Sequence, residues 1–117
     1  MLVIRPEQMR ILQQSQLRQF EESMAAHLKK RFPESVLTAD ANRLNATISE
    51  GLRVAKTFGI LDRVDIRRFL ECTVEYGADF HKRPWAAKIL RDPTLSGCGK
   101  MEQIDAYSLY VLRPWNR

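Results

Sequence analysis

Every apolar segment longer than ten residues in this chain repeats at steps of three and four and then stops at a glycine or a proline. That period gathers apolar side chains on one side of an α-helix, whereas a half-buried strand would alternate them. The clearest case is Met9, Leu12, Leu17, Phe20, Met24, Leu28 and Phe32, preceded by Pro6 and followed by Pro33. Proline suits a first helical turn and disfavours helix in the residue before it. The cations Lys29, Lys30 and Arg31 complement the negative end of the helix dipole. The spacing predicts a long N-terminal helix over residues 6–32.

The same reading continues along the chain. Thr38 or Asp40 can cap a second helix whose stripe is Leu44, Ile48, Leu52, Ala55 and Phe58, ended by Gly59. Gly51 lies inside it, where glycine costs about 1 kcal/mol relative to alanine, and close approach of a neighbouring helix is the reason favoured over a kink. Asp62 caps a third helix, with Ile66, Phe69, Leu70, Thr73, Val74 and Tyr76 inward and Gly77 at its end. The short link Phe58-Gly59-Ile60-Leu61 makes the second and third helices antiparallel neighbours. Pro84 opens a short helix through Leu90, and Thr94-Leu95-Ser96-Gly97-Cys98-Gly99 reads as a loop. A last helix starts near Lys100 and ends at Pro114, with Met101, Ile104, Tyr107, Tyr110 and Val111 available for packing. The expected fold is all-α, a compact bundle of about five helices.

At 117 residues the chain suits one domain, residues 1–117, able to bury a single core. Charged residues form 28% and hydrophobic residues 44% of it, a balance of folded rather than disordered chains. No apolar run approaches the roughly 20 residues that span a bilayer, and Arg5 and Pro6 interrupt Met1–Ile4 before a signal core develops. A cytoplasmic protein that does not engage a membrane is expected. The net charge is +5, but residues 61–80 hold five acids against three bases, so the excess sits at the two ends. Acids interspersed with the bases leave nucleic acid permitted without being indicated.

Chemistry has few candidates. His27, Cys72, His81 and Cys98 lack the paired spacing of zinc sites, so neither a metal nor any other cofactor is expected. Cys98 as a nucleophile would need a base, for which Lys100 and His81 are the candidates, yet the glycines beside it suggest a solvent-facing turn. Phosphate-cradling loops and the hydrolase elbow have no signature here. No catalytic residue is assigned, and the protein is read as a binder rather than an enzyme.

Candidate protein-binding residues come from two places. Phe80, Arg83 and Trp85 surround a basic, proline-marked turn, and Arg113 and Trp115 close the chain after Pro114. Trp and Arg are over-represented at interface hot spots. The competing explanation is that Phe80 and Trp85 plug the end of the bundle, since large aromatics are buried on average. Trp115, beyond the last helix stop, is the better exposed anchor.

The elements Phe20-x-x-x-Met24-x-x-His27-Leu28-x-x-x-Phe32-Pro33, Ile48-x-x-Gly51, Ala55-x-x-Phe58-Gly59-Ile60, Asp65-x-x-x-Phe69, Tyr76-Gly77-x-Asp79-Phe80, Pro84-Trp85-Ala86 and Ile89-Leu90 follow one another over roughly residues 5–105. Together they resemble the small accessory proteins encoded beside the spike and effector genes of bacterial type VI secretion clusters. The resemblance implies an adaptor or co-chaperone in the cytoplasm, with an effector, chaperone or spike component as partner, or else an immunity protein that neutralises a toxin. From the residues themselves, a small DNA-binding regulator using the second and third helices stays open, and so does assembly into a homodimer.

Overall fold

The computed structural model describes the backbone of residues 6–112 and the side chains of residues 16–111 apart from Leu37. The described residues are all-α, with five helices longer than a single turn, and contain no strand. In chain order these are α1 (Pro6–Arg31), the single turn α2 (Val36–Ala39), α3 (Ala41–Thr57), α4 (Arg63–Tyr76), α5 (Pro84–Leu90) and α6 (Gly97–Tyr107). A 3₁₀ turn, Phe80–Lys82, precedes α5, and a π-helical turn, Ser108–Leu112, follows α6. None of the described helices is long and apolar enough to cross a membrane. Packing divides the chain into two units, one ending at Ile48 and the other beginning at Ser49.

In the first unit α1 buries Met24 and Leu28, with Leu17 and Phe20 half-buried at the same period. After Pro33 the chain turns back on itself, and the Thr38 hydroxyl, itself buried, donates to the carbonyls of Phe32 at 2.6 Å and Ser35 at 3.0 Å. This leaves the capping of α3 to Asp40, whose Oδ1 accepts from the backbone N–H of Asn42 at 2.9 Å and Arg43 at 3.3 Å. A short polar side chain satisfies two amides that the first turn leaves without a helical partner. Leu44 and Ile48 follow one turn apart, both fully buried.

In the second unit Leu52, Val54 and Ala55 of α3 are buried, and Gly51 lies against α4. A β-carbon there would come within 2.5 Å of Leu70 Cδ2, so close helix approach accounts for the glycine. The link to α4 turns through Gly59, whose φ of 74° lies in the left-handed region that glycine enters at little cost. Asp62 caps α4 by accepting from the Val64 N–H at 2.9 Å. Ile66, Phe69, Leu70, Cys72 and Thr73 then point inward until Gly77, at φ 109°, ends the helix.

Two expectations are corrected at α6. The helix starts at Gly97 rather than near Lys100, because Ser96 caps it, its hydroxyl oxygen accepting from the Gly99 N–H at 3.0 Å. At the other end the helical period does not continue to Pro114. The wider turn over Ser108–Leu112 rotates the stripe, burying Ser108, which shares a hydrogen bond with the Tyr76 hydroxyl. Tyr110 and Val111, expected to pack, are instead 61% and 55% exposed. Pro114 lies outside the described residues.

Candidate functional site

The turn before α5 builds an aromatic cluster. Gly77 stops α4, Pro84 sets the first turn of α5, and the residues between carry Phe80 beneath the second unit's surface. Phe80 is fully buried, its ring tilted against Phe69 at 4.9 Å between centroids. The indole of Trp85 stacks flat on Tyr107 at 4.9 Å and meets the edge of Tyr76 at 5.9 Å. Arg83 is exposed, but its guanidinium donates to the Tyr76 carbonyl at 2.9 Å, satisfying a carbonyl at the end of α4.

These positions sort the sequence candidates. Phe80 is fully buried and packs in the core, as the competing plug explanation has it. Trp85 is half-buried within a ring stack, and Arg83 alone stands fully at the surface. Arg113 and Trp115 lie outside the described residues.

A second place, which sequence reasoning missed, lies at the opposite end of α4. The start of α6 approaches the α3–α4 link so closely that a β-carbon on Gly97 would sit 2.6 Å from the Gly59 carbonyl oxygen. Lys100 fastens the approach, its Nζ donating to the Phe58 carbonyl at 2.7 Å. Between the starts of α4 and α6 a groove of about 470 Å³ remains, lined by Leu61, Asp62, Val64, Asp65, Arg68, Cys98 and Glu102 together with Gly59 and Gly97. Leu61 is 70% and Val64 49% exposed. Val64 falls outside the inward stripe of α4 and Leu61 precedes that helix, and these two positions and the acid surplus of residues 61–80 were the sequence signals available.

The electrostatics of the groove follow from its pairings. Asp65 is buried and holds Arg68 at 3.5 Å, while the other face of that guanidinium bonds Asp105 of α6 at 3.1 Å. The one cation of the lining is therefore engaged twice, against the three carboxylates Asp62, Asp65 and Glu102. Cys98 is exposed, and its thiol lies 3.7 Å from Glu102 Oε1. The negative charge of Asp65, then desolvation and the charge of Glu102, push that thiol above its ordinary pKa, against a smaller opposing pull from Arg68.

The bases proposed for it are elsewhere. Lys100 is spent on Phe58, and His81 packs between the rings of Phe58 and Phe80, where desolvation and then Lys82 lower its pKa. Among the described residues no three of His, Cys, Asp and Glu converge to hold a metal ion.

A raised pKa keeps Cys98 as the neutral thiol to higher pH, and the thiolate is the reactive form. Its alkylation rate against pH should therefore rise later than that of a cysteine in a short peptide. Glu102→Gln or added salt should move the midpoint back down, since each weakens the carboxylate field. Iodoacetamide labelling followed by mass spectrometry reads this directly. A midpoint below that of the peptide thiol would show that the carboxylates do not govern the site.

Among the described residues the fold is all-α, and two of its exposed apolar side chains, Leu61 and Val64, stand with Asp62, Asp65 and Glu102 around an open groove. No family model matches the chain, and no curated protein and no solved structure matches it.

Proposed function

We propose that this protein is a non-catalytic, protein-binding accessory, working in the cytoplasm as an adaptor or co-chaperone. The observation that carries the reading is the pair Leu61 and Val64, standing exposed on the rim of a groove rather than scattered singly. Isolated exposed apolar residues are ordinary, whereas apolar side chains grouped around a concavity mark sites where another surface is covered. Several polar groups of the groove support binding over catalysis, because they have structural duties of their own. Asp62 caps α4, Asp65 pairs with Arg68, and the nearby carboxylates push the Cys98 thiol pKa up, away from the reactive thiolate.

The resemblance to type VI secretion accessory proteins nominates an effector, a chaperone or a spike component as the partner. Tagged full-length protein should recover such a component from the cells that make it, in near-stoichiometric amount by mass spectrometry. Recovery of general chaperones alone would overturn the accessory reading. Retention of labelled duplex DNA with a steep loss on raising salt would replace it by the regulator reading, because phosphate contacts release counterions.

A further inference from the structure

The groove's lining is opposite in sign to the whole chain. The protein carries +5, yet three carboxylates line the groove against one guanidinium that Asp105 also claims. The N-termini of α4 and α6 contribute about half a positive charge each, which the carboxylates outnumber. Arg63 and Arg67, though exposed on α4, do not line it. The nearby charges of Asp65 and Glu102 push the Cys98 thiol above its ordinary pKa, with desolvation between them in size.

Size and shape add a second constraint. A volume of about 470 Å³ lies in the roughly 300–1,000 Å³ range of ligand pockets, room for one or two large side chains and not for a whole helix. Leu61 and Val64 stand beside it, so whatever enters must also cover them.

We propose that this groove docks a positively charged amphipathic segment of a partner protein, one apolar side chain entering beside Leu61 and Val64 while neighbouring Lys or Arg side chains meet Asp62 and Glu102. The assignment rests on the protein-binding reading and gives it a seat and a partner chemistry. Complementary charge supplies specificity and encounter rate, and the buried apolar contact supplies most of the affinity. Because the chain as a whole is cationic, nonspecific attraction would favour an anionic peptide, so preference for a cationic one is diagnostic of the groove.

The test uses the full chain and a fluorescently labelled synthetic helix with leucines on one face and lysines on the other, followed by anisotropy. Two control peptides replace every Lys by Glu or every Leu by Ser. The Leu/Lys peptide should bind tighter than both controls. In the protein, Asp62→Asn with Glu102→Gln removes two charges, and asparagine caps a helix as well as aspartate does. That pair should weaken binding by about two- to thirtyfold, the span of two exposed ion pairs. Leu61→Ser with Val64→Ser should weaken it too, and since both side chains are largely exposed, thermal melts should stay near those of the native chain.

Equal binding of the Leu/Glu peptide, unchanged affinity in the charge variant, or spermine binding as tightly as the peptide would each overturn the proposal. If the serine variant melts early, amide shifts of Val64 and Glu102 in the native chain on adding peptide decide instead, and their absence counts against the groove. A cellular partner still captured by the charge and serine variants would leave the binding role standing and remove the groove as its seat. Peptide binding in the groove without any cellular partner would do the reverse.

Discussion

Phe80→Ala should lower stability by about 3–5 kcal/mol, the usual cost of deleting a fully buried aromatic ring. Phe80 has no exposed surface, and its ring lies against Phe69 at 4.9 Å and Trp85 at 6.4 Å. Truncation would strip contacts from both neighbours, and the surrounding helices can collapse only in part, so a cavity cost adds to the lost transfer energy. Trp85→Ala should cost less despite the larger ring, because Trp85 is half-buried. What it loses beyond area is its stack on Tyr107, a contact of about 0.5–1.5 kcal/mol. Urea unfolding of the two variants ranks them. If Phe80→Ala proved milder than Trp85→Ala, the ring would not be the plug that its burial describes.

The helices were legible because burial imposes a period that single side chains cannot hide. Leu44, Ile48, Leu52 and Ala55 read as a stripe and are buried as one. Asp62, Gly77 and Pro84 were legible for another reason, since each performs a local backbone task that needs no knowledge of distant residues. Some failures are non-local. Gly97 and Gly99 looked like loop glycines because nothing nearby in sequence reveals that the Gly59 carbonyl lies against one of them.

Tyr110 and Val111 looked like core because the 3.6 period was extended past Tyr107, where the backbone widens into a π-helical turn and Ser108 takes the inward position instead. Phe80, paired with Arg83 and Trp85 by composition, was separated from them by burial. The groove was hidden for the same reason as Gly97. Leu61, Asp62 and Val64 are near in sequence, but Cys98 and Glu102 join them only when α6 closes on the α3–α4 link.

That closure makes Gly97→Ala the second large expected effect, a loss of about 1–3 kcal/mol from overpacking. The added methyl would lie 2.6 Å from the Gly59 oxygen and 3.1 Å from Ile60 Cα, and both are backbone atoms that no rotamer change can move aside. Alanine's better helix propensity, at most about 1 kcal/mol and less at a helix end, offsets only part of this. Relief requires the start of α6 to withdraw from the link, stretching the bond from Lys100 to the Phe58 carbonyl and widening the groove.

Two other glycines calibrate the argument. At Gly51 the clash is with a side-chain methyl of Leu70, which can shift although Leu70 is fully buried, so Gly51→Ala should be intermediate. At Gly99 the nearest atom is the Ser96 hydroxyl at 3.3 Å, a contact that small adjustments absorb, so Gly99→Ala should stay within about 0.5 kcal/mol of the native chain. Urea unfolding of the three alanine variants should therefore rank Gly97 as most costly and Gly99 as least. Equal tolerance at Gly97 and Gly99 would mean that residues 97–99 form the free loop their sequence suggests, and that the groove has no fixed wall on its α6 side.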